Sequence, residues 1–418
     1  AELSYTYIGF NFILTSIAVG GYFLVPSRAS YFWSVLLTPI VVLFTLSLTQ
    51  IFNTWHIYIY SLPFNLVVLL FLYAYRLRVY KPAKTLEVEV QQNSPEKNLY
   101  MYLNNNHRFK DYSLYPIRLP FYGEWKVSQG HDGKFTHKSK WRYAWDFVIT
   151  DTEGKTYRDF GAGVEDYYCY NKAVLSPYDG YVDEITDGIP DNPIGDVNVE
   201  DNWGNTIIIR HGENFYTKIS HLKAGSFKVM KGEWVKTGQL IAFCGNSGRS
   251  PEPHIHFQLQ KTPFINGESV EYPISQFVKR NIDGYEYKSY SHPEEGDLVS
   301  NIEINELMKK AFHFIPGDKI NFEMESKGKV KKAQWEVYTN IYNYSYIYCM
   351  TSNSYAYFVD DCKTFYFYNF VGSRRSLLYY FFLVAYKVPL GFYKNVNIKD
   401  TYALHFVYSK AGLFLQDF

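Results

Sequence analysis

Two histidines separated by one residue, His254-Ile255-His256, lie in a run where Ile255, Phe257 and Leu259 alternate with polar positions. That alternation reads as a strand, and on a strand residues i and i+2 share a face. Both imidazoles then project together from a rigid element. Two rings fixed side by side suit a divalent metal, or a metal together with a general base. A pair of surface histidines has the same spacing, so the surroundings must decide. His221 ends a second apolar strand, Lys218-Ile219-Ser220-His221-Leu222. Asp146 is embedded in the apolar run Tyr143–Phe147, where a carboxylate is costly unless it is paired or bound to a metal. His137 lies upstream of Asp146, within reach across a short hairpin.

The elements that must position these groups are strands. From Tyr112 to about Phe277 the chain is β-rich, punctuated by Gly and Pro, with no helical period. Strands are expected over 142–149, 172–175, 180–185, 205–210, 215–219, 240–243 and 254–259, which suits an antiparallel sheet. Turn-rich Gly245-Asn246-Ser247-Gly248 and Pro251-Glu252-Pro253 deliver the histidine pair, fed by the turn-strand-turn Lys231–Gln239. The loops Thr152–Asn171 and Asp187–Asn202 are long enough to be the walls of a cleft.

Taken together these motifs resemble the lysostaphin-like, or LytM-like, zinc metallopeptidases that cut peptidoglycan cross-bridges. The matching residues are Asp146 in its strand, Pro177-Tyr178-Asp179-Gly180, Gly204-Asn205, Ser220-His221-Leu222, Gly232 to Gln239, and Gly245–Gly248 through His254–Gln258. They cover roughly residues 115–262. The resemblance implies an antiparallel sheet of the duplicated hybrid motif type. It also implies zinc held by His137, Asp146 and His256, with a fourth position left for water. His221 and His254 would then contact that water and the developing oxyanion. The usual first motif of the family is His-x-x-x-Asp, whereas His137 and Asp146 stand further apart. His131, in Gln129-Gly130-His131-Asp132, is the competing first ligand. The scaffold is also similar to phosphocarrier domains and to biotinyl or lipoyl carriers. The former do not account for Asp146, and the latter need a hairpin lysine that is absent.

Ahead of this domain, 5–25, 31–51 and 57–75 are free of charged residues but for Arg28 in the join before the second. Each is long enough to cross about 30 Å of hydrocarbon as a helix. Three transmembrane helices are therefore expected over 1–80, in contact with a lipid bilayer. A linker with a short strand follows over 81–111. The peptidase-like β domain occupies 112–277, a connector 278–315, and an all-β, sandwich-like domain 316–418. In that last domain Leu377–Ala385 and Ala403–Tyr408 read as strands, and its many tyrosines suit a glycan or a protein partner.

Charge is balanced at 42 basic and 41 acidic residues, which gives no argument for nucleic acid. The four cysteines form neither a disulfide framework nor a zinc ribbon, although Cys349 and Cys362 could pair in an oxidising compartment. The whole reads as a multi-pass protein of the bacterial cytoplasmic membrane. Its β domain would face the periplasm or wall and act on peptidoglycan stem peptides. Arg76, Arg78, Lys81 and Lys84 oppose that placement, because basic flanks favour the cytoplasm. A non-hydrolytic scaffold or regulatory subunit of an envelope complex is the alternative.

Overall fold

A computed structural model of the chain describes residues 2–77, 87–88, 94–109, 115–326 and 329–408. Two compact units form, one from residues 1–107 with 401–418, the other from Arg108–Asp400.

In the first unit, α1 (Glu2–Ile17) runs into a π-helical turn at Ala18–Tyr22. Ser27 then caps α2 (Arg28–Asn53): its hydroxyl accepts from the Ser30 amide, while the Ser30 hydroxyl accepts from the Ser27 amide. α3 (Leu62–Arg76) starts only after His56 and Tyr60 adopt left-handed backbone angles. The 26 residues of α2 reach about 39 Å at ~1.5 Å per residue, more than the ~30 Å of a bilayer core. The 15 residues of α3 reach only about 22 Å. By length and composition, α2 alone among the described residues suffices to cross a membrane; Gly9–Tyr22 and Leu62–Tyr75 are apolar but shorter. The expectation of three spans is corrected to one candidate. Two further differences follow. Pro95–Phe109, expected as linker, is a helix (α4), and Leu404–Val407, expected within a strand, is a helical turn. Arg78, Lys81 and Lys84 lie outside the described residues.

The second unit is built on an eleven-stranded sheet. Its strands are β1 (Glu124–Gln129), β2 (Ala144–Val148), β4 (Gly180–Thr186), β5 (Asn205–Gly212), β6 (Phe215–Leu222), β7 (Trp234–Val235), β9 (Ile255–Gln260), β10 (Ile274–Asn281), β11 (Gly284–Ser291), β12 (Leu298–Ser300) and β19 (Val396–Ile398). The spatial order is β19-β11-β10-β12-β1-β2-β9-β6-β5-β4-β7, and β3 (Ala173–Leu175) pairs with β8 (Leu240–Phe243) as a separate ribbon. The segment 278–315, expected as a connector, thus carries most of three strands and a short helix α5 (Glu306–Ala311). β12 pairs with β1, β10 with β12 and β11 with β10, and so they extend the sheet.

β2, β9 and β6 are adjacent, antiparallel and central. Trp145, Phe147, Ile255, Phe257, Leu259 and Ile219 point into one apolar core. Alternation sends Asp146, His256, Gln258 and Ser220 to the other face, which is also buried.

The carboxyl-terminal sheet has six strands in sequence order: β13 (Lys319–Ser326), β14 (Lys329–Thr339), β15 (Ser345–Cys349), β16 (Ser354–Asp360), β17 (Thr364–Val371) and β18 (Lys387–Pro389). It is one antiparallel meander, not a sandwich. Leu377–Val384 is a helix (α6), with the Ser376 hydroxyl accepting from the Tyr379 amide at its start. Phe381 and Phe382 of α6 pack on Trp335 and Phe367 and take the place of a second sheet. All four cysteines are free thiols.

Candidate metal centre

Strand register creates the centre. Asp146 on β2 and Ser220 on β6 are the direct cross-strand partners of His256 on β9, so carboxylate and imidazole meet without any loop being involved. His256 Nδ1 lies 2.9 Å from Asp146 Oδ1. His137, buried in the hairpin before β2, brings Nε2 to 3.2 Å from the same oxygen. Donor atoms of His137, Asp146 and His256 all lie within 4.8 Å of one another. His254 Nε2 approaches Asp146 Oδ1 to 3.8 Å. The His221 ring centroid is 4.7 Å from that of His254 and 5.8 Å from that of His256. The structure therefore brings all five expected residues together. His131 lies elsewhere, 4.2 Å from the Trp145 ring and 4.9 Å from His292, centroid to centroid.

Each of the four rings is tethered on the nitrogen that faces away. His137 Nδ1 pairs with the Gly130 carbonyl at 2.8 Å, His221 Nδ1 with the Ser247 carbonyl at 2.8 Å, and His254 Nδ1 with the Glu252 carbonyl at 2.9 Å. A carbonyl only accepts, so each of these nitrogens carries a proton, and in the neutral ring Nε2 then keeps the lone pair that a cation would take. His256 Nε2 pairs with Gln258 Oε1 at 3.2 Å, which leaves Nδ1 facing Asp146. Gln129 completes the arrangement. Its Nε2 donates to Asp146 Oδ2 at 2.8 Å, and its Oε1 accepts from the amides of Phe135 and Thr136, shaping the turn that delivers His137.

His221 needs a special mount. Simple alternation would place it beside Ile219 on the core face. Its φ of 63° is left-handed, which re-aims the ring toward the other histidines. That backbone costs about 1–2 kcal/mol for a non-glycine residue. The Gly245–Gly248 turn holds it. Gly204 and Gly248 meet back to back, and a Cβ on Gly248 would sit 2.3 Å from the Gly204 nitrogen. Ser247 Oγ accepts from the Asn205 amide and donates to the Leu222 carbonyl. The Gly204-Asn205 and Gly245–Gly248 motifs are thus two halves of one support.

Burial alone would raise the Asp146 pKa, but His137 and then His254 beside it hold the carboxyl well below the usual range. Burial pushes His256 down to about 4 and holds His221 well below its ordinary value. A buried carboxylate ringed by imidazoles, one of which, His137, Asp146 draws upward against its burial, is a cation site by chemistry. Two imidazoles and one carboxylate with an open side fit zinc better than calcium or magnesium, which prefer oxygen.

Sequence reasoning missed Gln129, Gln258, Trp203 and Lys218. Gln258 was open to it, since it shares the face of His256 at i+2. Lys218 is fully buried on β6 opposite Gln258. Its Nζ donates to the Ile265 carbonyl at 2.9 Å and sits 2.9 Å from the Trp203 ring centroid, while that ring lies 5.4 Å from His256.

Residues 161–272 match the model of peptidase family M23, and residues 1–76 match the model of the urea transporter family. Its β domain is similar to the LytM-like group of M23 peptidases. The M23 match contains His221, His254 and His256 and begins after His137 and Asp146. Among relatives, the peptidoglycan DD-endopeptidase ShyA of Vibrio cholerae is 41% identical over 56 residues, 13% of either chain. The DD-carboxypeptidase/endopeptidase Mpg of Neisseria meningitidis is 38% identical over 73 residues, 18% of this chain and 15% of that one. The chain thus spans only 13–15% of the length of these relatives. The catalytic domain of lysostaphin from Staphylococcus simulans aligns over 36% of this chain and 88% of that one, with 20% identity and a TM-score of 0.23.

Proposed function

We propose that the chain is a zinc metalloendopeptidase that hydrolyses peptide cross-links of bacterial peptidoglycan from a membrane-held position. The convergence of His137, His254 and His256 on Asp146 Oδ1, with His221 beside them and each ring tethered from behind, carries this reading. His137, Asp146 and His256 would hold the ion. The chemistry zinc supplies when bound is polarisation of the scissile carbonyl and acidification of a water.

The remaining work falls to His221 and His254, whose Nε2 atoms face the same space. One accepts the proton released as water adds to the carbonyl carbon. The other steadies the charge on the carbonyl oxygen. Collapse of the tetrahedral carbon breaks the C–N bond, and the stored proton passes to the departing amine. His254 has the greater solvent access, with 12% of its side chain exposed, and is assigned the proton exchange. Gln129 and Gln258 keep the ligand atoms aimed. All the side chains that hydrolysis requires are present, which argues against a purely structural scaffold.

Substrate chemistry places the β domain on the wall side of the membrane. A reporter fusion at Lys84 checks this: activity of a cytoplasmic reporter there would reverse the placement. The match of residues 1–76 to urea transporters favours a second reading for the first unit, as part of a solute channel instead of a plain anchor. Urea flux into vesicles carrying the chain, above that of protein-free vesicles, would support it.

The test of hydrolysis is mass spectrometry of fragments released from purified peptidoglycan, with and without a zinc chelator. Chelator-sensitive release of uncross-linked stem peptides is expected. No release by the zinc-loaded protein would sink the proposal.

A further inference from the structure

The six-stranded sheet buries one face under α6 and paves the other with tyrosine. Alternation puts Trp335, Val337, Ile347, Cys349 and Ala356 inside. The same alternation puts Tyr338, Tyr346, Tyr348 and Tyr355 outside, on three adjacent strands. Their rings form a continuous platform. Centroids are 5.9 Å apart for Tyr338–Tyr346, 6.2 Å for Tyr338–Tyr348, 5.7 Å for Tyr346–Tyr355 and 4.8 Å for Tyr348–Tyr355. Tyr338 is 39% exposed and the other three are half-buried, largely by one another.

Three features of the platform select a ligand. Every ring carries a hydroxyl tip, so the surface offers stacking area and hydrogen bonds together, at little entropy cost. Polar groups sit at its margin: exposed Asn353 accepts from the hydroxyls of Tyr348 and Tyr355, and the Glu336 carboxylate accepts from Tyr338. Finally, among the described residues of this face, Lys319 pairs with Glu336 at 3.3 Å and Lys332 with Glu323 at 2.8 Å, so these two cations are already partnered. A flat aromatic floor with amide and carboxylate edges is complementary to a neutral, hydroxyl-rich pyranose ring.

We propose that this tyrosine platform binds the glycan strand of the peptidoglycan whose peptide cross-links enter the metal centre. The inference rests on the peptidase reading for its choice of polymer. The platform belongs to the same compact unit as the centre, and Tyr287 Oη meets Thr364 Oγ1 at 3.2 Å between the two sheets. A strand seated on the platform holds its own cross-links at high local concentration near the cleft.

The test titrates the full chain, in a detergent without sugar head groups, with a β-1,4-linked N-acetylglucosamine hexamer and with wall glycan stripped of peptides. Wild type and His256→Ala are expected to bind alike. Tyr348→Ala and Tyr355→Ala each weaken binding by about tenfold. These variants keep wild-type cleavage of a soluble, sugar-free cross-linked peptide and lose cleavage of intact walls, which separates docking from folding. Should either variant fail to fold, Tyr338→Ala, at the exposed corner, replaces it. Absence of glycan binding by wild type, or binding unchanged in the platform variants, overturns the proposal and leaves the peptidase reading standing. Failure of peptide cleavage by wild type overturns that reading separately, because glycan binding is measured without it.

Discussion

The two sheets of the second unit solve the same problem with opposite chemistry. Both are antiparallel, apart from the parallel β11–β19 pair at one edge of the larger, and both bury an apolar face. In the eleven-stranded sheet the second face is buried too, and it holds Asp146, His256, Gln258 and Lys218. In the six-stranded sheet the second face is tyrosine, half open to water. Burying polar groups costs several kcal/mol each unless every one is partnered. The first sheet meets that cost with a chain of tethers from Gln129 to Asp146 and from His256 to Gln258. Such expense without stabilising benefit marks the face as chemical. The second sheet shows the ordinary outcome, in which aromatic packing alone holds the strands.

Asp146→Ala gives the largest expected difference between the two. It should remove zinc and lower peptide release by a factor of at least about 1000, on the order of 4 kcal/mol, while hydrogen exchange in β14–β17 stays as in wild type. Metal content by mass spectrometry and exchange protection check both halves. Phe367→Ala is the mirror image. Phe367 is fully buried against Phe365, Phe381 and Phe382, so truncation should cost about 3–5 kcal/mol of local stability in the second sheet. Zinc content should be unchanged; a parallel loss of zinc would show that the two sheets are not independent.

Gln129→Leu sharpens the comparison at smaller scale. It frees Asp146 Oδ2 and two backbone amides, and should weaken zinc affinity about 10–100-fold, measured by competition with a chromogenic chelator. Unchanged affinity would remove Gln129 from the account. The smallest effect concerns pH. Burial pushes His211 down to about 4, and its Nδ1 and Nε2 pair with the Asp179 carbonyl and Thr217 Oγ1. The unfolded chain, with an ordinary histidine near 6.5, takes up the proton first as pH falls. Stability of β5–β6 is therefore complete above about pH 6.5 and declines toward pH 4. Exchange protection in β5–β6 should follow that slope, and His211→Gln should flatten it.

The sequence makes half of the centre legible. Alternation pairs His254 with His256, and an aspartate inside an apolar strand announces itself. The choice of His137 over His131 depends on the Gly130 carbonyl and the Gln129 amide, contacts that no spacing reveals. His221 stands out in the sequence as a histidine ending an apolar strand, but its role comes only through resemblance, since the period-2 pattern points it into the core and a left-handed backbone turns it out. The same limit explains the errors of fold. Leu377–Val384 is apolar throughout, so helix and strand periods cannot be told apart over eight residues. The polar, turn-rich 278–315 hides the β10–β11 hairpin and β12, which join the sheet only through β1, far away in sequence.

The central claim is that metal holding and proton handling are divided between two sets of residues on one face. Zinc per chain and peptide release, measured together for His254→Ala and His256→Ala, test it most directly. The account predicts that His254→Ala keeps zinc near the wild-type ratio and loses turnover by about 100–10,000-fold, while His256→Ala loses both. Zinc retained in His256→Ala, or full turnover in His254→Ala, would contradict it.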